Sequence, residues 1–223
     1  ARTLNKTQFE PILCGLWDFH TPSDQAWCAQ MNREGIRAFI AAPKDDQSPY
    51  RNYVAVVKGI LAGVPQGVDI IHTHSEFGDV AALLLRRKLG AQVVVRTVHN
   101  EREWPKRPLR RLLLTNLLYP FAFDAELGVA QQVVDNLDQR PLAWLRGRKA
   151  QRMYNALNFD RFDRLQVDKA AKRQSLGLPA DAIVIGSVGR LTRQKGYQTL
   201  LDAVPLVLQQ LPQAYFVIVG TGD

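Results

Sequence analysis

The run Ala182-Ile183-Val184-Ile185-Gly186-Ser187-Val188-Gly189-Arg190-Leu191-Thr192-Arg193-Gln194-Lys195-Gly196 constrains the fold of this chain more than any other stretch. An apolar, β-branched strand runs into glycines and then Arg190. Lys195 and Gly196 follow, and then an amphipathic helix, Tyr197 to Gln210. A strand that turns directly into a helix belongs in a parallel α/β sheet, where ligands collect at the carboxyl ends of the strands. Glycines at that edge let a bulky anion approach the backbone, and the helix N-terminus adds partial positive charge. Arg190 and Lys195 suit two oxygens of one diphosphate. The plainer reading is a βα turn with two solvated cations. The glycine spacing is not the G-x-G-x-x-G dinucleotide fingerprint, and no G-x-x-x-x-G-K-[ST] P-loop occurs.

Upstream, apolar runs alternate with helical patterns. Strands are expected near Pro11–Leu16, Ile36–Ala41, Val68–His74, Gln92–Thr97, Ala125–Ala130 and Arg152–Ala156. Helices are expected near Ser23–Glu34, Arg51–Ala62, Glu76–Leu89, Leu109–Tyr119, Gln131–Leu137 and Asp168–Leu176. Ser23 reads as an N-cap, and Gly35 and Gly90 as helix stops. This alternation predicts a mainly parallel sheet covered on both faces. A polar stretch around residue 160 divides the chain into an expected first domain, 1–160, and a second, 161–223. The second offers only strand, helix and strand. A single βαβ does not close a core, so the chain is expected to be a fragment that stops inside its second domain.

Composition narrows the function. The chain has 223 residues and a net charge of +8, with no apolar run of the ~20 residues that a spanning helix needs. Cys14 and Cys28 read as two buried, reduced thiols of an intracellular chain. Nine Lys/Arg lie between Arg86 and Arg111 against Glu101 and Glu103, and five lie between Arg140 and Arg152 with no acid. Such clusters suit phosphate-bearing ligands or an anionic lipid surface. Arg110, Arg111, Lys106 and Arg107 would meet headgroups while Leu112, Leu113, Leu117 and Leu118 pack elsewhere; a core helix with a solvated basic face is the alternative. No aromatic-rich basic sheet or helix-turn-helix pattern supports nucleic-acid binding. His72 and His74 share one strand face, without an apparent third ligand, and read as structural. Glu76 reads as a complement to the helix dipole.

Three patterns in order carry a family resemblance. They are Asp69-Ile70-Ile71-His72-Thr73-His74 with Val93-Val94-Val95-Arg96-Thr97-Val98-His99; Asn155-Ala156-Leu157-Asn158-Phe159-Asp160-Arg161-Phe162; and the stretch from Gly186 to Asp223 ending in Gly220-Thr221-Gly222. From Asp69 to Asp223 the chain resembles the family 4 glycosyltransferases, retaining enzymes of the two-domain GT-B fold. The resemblance implies a Rossmann-like first domain on the acceptor side, without the family's first strand, and the first βαβ of a Rossmann-like donor domain. It implies a nucleotide-diphosphate-sugar donor as substrate, no cofactor and no metal, in keeping with the absence of any D-x-D. Gly189, Arg190, Lys195 and Gly196 would hold the donor diphosphate. Arg190 and Lys195 would also stabilise charge on the leaving group. His99 would contact the donor sugar across the cleft between the domains.

The expected acceptor is a glycan, lipid or small molecule. The expected location is cytoplasmic, with peripheral attachment to the inner membrane face as a further expectation. Departures from the family pattern are Ala130 in place of a serine, and Ala156 and Asn158 in the hinge. The family's two glutamates, seven residues apart, would lie beyond Asp223, and these 223 residues are expected to be inactive alone. A non-catalytic module that binds nucleotide sugar or a partner stays open at this point.

Overall fold

Local chemistry sets the ends of most elements in the computed structural model, which describes residues 3–44, 48–157, 159 and 167–222. Helix α1 (Pro22–Arg33) starts after Thr21, two residues earlier than the serine cap predicts. Proline lacks the N–H that a first turn leaves unpaired, so Pro22 fits the first helical position. The Thr21 N–H then donates to Asp24 (3.3 Å). Gly35 and Gly90, both at φ 73°, close α1 and α3 (Glu76–Leu89) in the left-handed conformation. Ser75 caps α3 by accepting from the Gly78 N–H (3.1 Å). Helix α2 (Pro49–Gly63) lies between them in sequence.

The chain divides into Ala1–Ala156 and Leu157–Asp223. In the first unit β1 (Ile12–Asp18) pairs in parallel with β2 (Arg37–Pro43). A second parallel sheet runs in the order β3 (Ile70–Thr73), β4 (Val93–Val98), β5 (Ala125–Gly128), β6 (Gln151–Arg152). The single expected sheet is therefore two. Ile12 and Leu13 of β1 and Ile70 and Ile71 of β3 line a cavity of about 850 Å³ instead of pairing. Of the strand expected over Arg152–Ala156 only Arg152 is in β6, whose two residues, Gln151 and Arg152, pair with Leu127 and Gly128 of β5. Asn158, Asp160, Arg161 and Phe162 of the hinge pattern lie outside the described residues.

Apolar side chains of β2, α2 and α3 (Ala42, Val56, Ile60, Ala81, Leu85, Leu89) form one cluster of the core, with Cys14 and Leu16 of β1 packed on it. Val94 joins Ala82, Tyr119 and Phe123 in another. Val98 meets Val133, Val134 and Leu137 of α6 (Gln131–Asp138) in a third. Both cysteines are free and half-buried, and burial pushes the Cys14 thiol up to about 11.

The helix expected over Leu109–Tyr119 is α4 (Pro108–Arg110), a π-helix from Arg111 to Leu118, and α5 (Tyr119–Ala122). Ala130 precedes α6 without a side-chain cap, as its missing hydroxyl implies.

The second unit holds α7 (Lys169–Ser175), β7 (Ile183–Val188), α8 (Tyr197–Gln210) and β8 (Ala214–Val219). Asp168 caps α7 by accepting from the Ala170 and Ala171 N–H groups (2.9 and 3.1 Å). β7 and β8 pair in parallel over six residues, Ile183 opposite Ala214 through Val188 opposite Val219. Among the described residues only Ala182 and Ala214 are buried hydrophobics here, and Val188 is 83% exposed.

Candidate active site

Two clusters of the expected residues form, one in each unit. In the first, β3 and β4 run side by side and end at the same sheet edge, which brings three histidines together. His72 Nε2 lies 2.7 Å from Thr97 Oγ1, and His74 Nδ1 lies 3.3 Å from His99 Nε2. The His72 and His74 rings are 4.4 Å apart between centroids, and those of His74 and His99 are 5.6 Å apart. Neighbouring atoms displace water from the His74 ring, and with the nearby imidazoles this pushes its pKa down to about 4. His74 is thus neutral at pH 7, with one ring nitrogen to donate and one to accept. The sequence reading kept the His72–His74 pair apart from His99; parallel pairing of β3 and β4 joins them. Among the described residues no group of three or more His, Cys, Asp or Glu is arranged to hold a metal ion.

The loop after His99 is tied down on all sides. Trp104, at φ 47°, is 3% exposed, and its N–H donates to Glu76 Oε1 (2.6 Å). Glu76 is therefore more than a dipole complement: it fixes this loop to α3. Glu103 pairs with Arg96 of β4. Arg96 is fully buried, with Asp79 at 3.5 Å, Glu126 at 3.8 Å and the Tyr119 ring 4.5 Å below its guanidinium. Glu126 also receives Arg140 and Arg146, and Arg146 reaches Asp138 (2.7 Å). Burial pushes the Asp79 and Glu103 carboxyls up, against the pull of Arg96.

Sequence counting placed Arg96, Arg140 and Arg146 in the basic clusters. That expectation is corrected here, because folding brings Asp79, Glu126 and Asp138 from outside the clusters and buries Glu103 of the first cluster against Arg96. Arg86 likewise pairs with Asp124 (3.0 Å). The signal that was available is an arginine within Val93-Val94-Val95-Arg96-Thr97-Val98, since an unpaired charge is not tolerated in a buried strand. The leucines expected to pack elsewhere do not: Leu112 is 48% and Leu113 50% exposed.

In the second unit, β7 delivers Gly189, Arg190 and then a short 3-10 turn, Arg193–Lys195, to the start of α8. Gly196, at φ 69°, makes the bend into α8 that a side chain would strain. Arg190 and Lys195 are exposed, and their side chains have no partner among the described residues. Tyr197 Oη donates to the Gly189 carbonyl (3.2 Å) and closes the turn. The strand exits are held by Gly189 N–H to Val219 O (3.0 Å) and Leu191 N–H to Thr221 O (2.9 Å). A Cβ on Gly220 would stand 1.9 Å from the Gly189 carbonyl oxygen, and one on Gly222 2.1 Å from that of Leu191. Backbone contact therefore explains the Gly220-Thr221-Gly222 pattern. The geometry offers two solvent-facing cations and the N-terminal end of a 14-residue helix, an arrangement that attracts anions.

Residues 168–223 match the family of glycosyl transferases group 1. That segment carries Arg190, Lys195 and both glycine pairs. Over 57 residues, 25% of its length, the chain is 51% identical to a glycogen synthase of Streptococcus equi subsp. equi, covering 12% of that protein. Over 169 residues, 70% of its length, the chain is 27% identical to an Escherichia coli UDP-Gal:alpha-D-GlcNAc-diphosphoundecaprenol alpha-1,3-galactosyltransferase, covering 41% of that protein. The chain thus spans less than half the length of either curated relative. The crystal structure of Anabaena HepE in complex with UDP-glucose matches with a TM-score of 0.65 at 19% identity, over 88% of this chain and 50% of that one. This likeness shows the fold: Rossmann-like α/β of the GT-B type.

Proposed function

We propose that this chain belongs to a glycosyltransferase that moves a sugar from a nucleoside-diphosphate-sugar to an acceptor hydroxyl with retention of configuration. The observation that carries the reading is the pair of exposed, unpartnered cations, Arg190 and Lys195, where β7 turns into α8 inside the group 1 segment. As the glycosidic bond of the donor breaks, negative charge grows on the departing diphosphate. Cations already fixed in place stabilise that charge more in the transition state than in the ground state. The chain's lack of a D-x-D pair supports a reaction in which these cations do the work of a metal. His99, steadied by neutral His74, is read as the contact to the donor sugar. The donor HepE is seen with, UDP-glucose, and the UDP-Gal named for the E. coli relative favour a UDP-sugar.

Calorimetry with UDP and other nucleoside diphosphates tests the diphosphate site directly. Arg190→Ala and Lys195→Ala are each expected to weaken binding about tenfold, the factor corresponding to ~1.4 kcal/mol. In a transfer assay each is expected to cost roughly 2–4 kcal/mol of transition-state stabilisation. Wild-type binding and turnover in both variants would remove the reading.

We further propose that the acceptor is lipid-borne and reached at an anionic membrane surface. Leu109, Leu112, Leu113, Leu117, Leu118 and Phe121 are all exposed, beside Lys106, Arg107 and Arg110. Among the described residues no helix is long and apolar enough to cross a membrane, so the contact would be interfacial. Sedimentation with anionic vesicles is expected to retain the protein, with zwitterionic vesicles not, and a few hundred millimolar salt to release it. Equal sedimentation with both vesicle types would leave the acceptor without this argument.

A further inference from the structure

A cavity of about 270 Å³ opens at the carboxyl end of β4, apart from the three histidines. Its wall comes from three pieces of chain: Asn100, Glu101 and Arg102 of the loop after His99, Arg111, Thr115 and Asn116 of the π-helix, and Asn136 of α6. Hydrogen bonding from i to i+5 widens a helical turn, and such turns are rare and frequently found at functional sites. Here the wider turn brings positions 111, 115 and 116 to one cavity. Glu103 and Arg140 also line it. Both are already engaged, with Arg96 and Glu126, and hold the floor rigid.

Several groups of the wall are unspent. Among the described residues the side chains of Asn100, Glu101, Arg111 and Asn116 have no partner. Thr115 is 6% exposed, and its buried hydroxyl has no hydrogen-bond partner. A buried polar group without a partner is uncommon in a folded chain and calls for an explanation.

We propose that this cavity binds one sugar ring of the acceptor; the assignment rests on the glycosyltransferase reading. The chemistry of the wall selects hydroxyl groups. Each amide both donates and accepts, the carboxylate accepts only, and the guanidinium donates only. A ligand that satisfies all of them must donate and accept at several points, as a polyol does. A phosphate accepts only: it would suit Arg102 and Arg111 but face Glu101 and Glu103, and would leave the amide oxygens unanswered. The size agrees: a pyranose takes up about the volume of six waters, at ~30 Å³ each, within the cavity volume. The position agrees as well, since Asn100 and Glu101 directly follow His99.

The test uses the full chain without any nucleotide. Saturation-transfer NMR and calorimetry are run with methyl α-D-glucopyranoside, methyl N-acetyl-α-D-glucosaminide and inorganic phosphate. At least one glycoside is expected to bind, and phosphate is expected not to displace it. Asn116→Ala with Asn136→Ala is expected to weaken binding at least tenfold. Thr115→Val exchanges the hydroxyl for a methyl of the same shape, so it keeps the packing and is also expected to weaken binding. Unaltered melting of Thr115→Val shows that its loss of binding is not unfolding. No glycoside binding, unchanged affinity in both variants, or displacement by phosphate overturns the assignment. Glycoside binding here by a protein that binds no nucleoside diphosphate supports the cavity and overturns the functional reading instead. Nucleoside-diphosphate binding by a protein whose cavity binds no glycoside does the reverse.

Discussion

β4 and β7 are close to twins in sequence and opposites in structure. Each is a parallel strand of six residues, rich in β-branched side chains, that leads to a candidate functional residue at its carboxyl end. β4 is paired on both sides and covered by α3, α5 and α6. Val94, Arg96, Thr97 and Val98 are all buried, and its arginine is answered by three carboxylates. β7 is paired with β8 alone, and none of its residues is buried. Its arginine, just past the end, faces water. Hydropathy and spacing thus suffice to form a strand and a turn. Whether a cation becomes a structural strut or a free ligand group depends on how many layers fold over it.

The largest expected break or confirmation of this contrast is in amide exchange. Opening free energies follow local packing, so amides of β7 and β8 are expected to exchange at least ~100-fold faster than those of β4. Equal protection would mean that the second unit is covered by something outside its own βαβ. Next is a pair of arginine substitutions read by urea denaturation. Arg96→Leu leaves Glu103 and Asp79 buried without their partner and is expected to cost about 3–5 kcal/mol. Arg190→Ala, on an open turn, is expected to stay within about 0.5 kcal/mol. Similar costs for the two would erase the distinction between strut and ligand group.

The smallest effect concerns His74, which sharpens the comparison because β7 ends without an equivalent group. Its folded pKa, about 4, lies below the ordinary imidazole value of 6.5. The unfolded chain therefore binds more protons between these values, and stability falls as pH drops from about 6.5 towards 4. Above that window the contribution is flat. Because the imidazole is partly open to water, the effect is expected to be under about 1 kcal/mol. The buried carboxyls Asp79 and Glu103 act in the opposite sense, so the quantity to measure is the difference between wild type and His74→Gln across this range. No pH dependence in that difference would show that His74 is as free as an unfolded histidine.

Much of the fold was legible locally. The bounds expected for α3 and α8 agree with those observed, since Gly90 and Gly196 punctuate them and their apolar spacing is helical. The Gly189-Arg190 to Lys195-Gly196 turn was equally plain, because its chemistry lies within eight consecutive residues. Long-range facts were not legible. Asp79, Glu103 and Glu126 come from three different elements, so a count of charges along the chain saw a basic cluster where the fold holds a neutralised core. The π-helix was invisible for another reason: a change of hydrogen-bond register leaves no mark on hydropathy. That change also turns leucines outward that an α-helical reading had packed. The His74–His99 contact needed the knowledge that β3 and β4 are neighbours.

The glycines at 220 and 222 have a consequence for how this molecule can vary. They bring one strand exit against the other with main-chain atoms only, carbonyl to α-carbon, so no side chain sets the gap. The separation of the two loops is therefore independent of what stands at 190 or 192 to 195. Those five positions behave as interchangeable fittings on a frame of constant width, open to changes of ligand preference at little cost to folding. At 220 and 222 any side chain acts as a wedge.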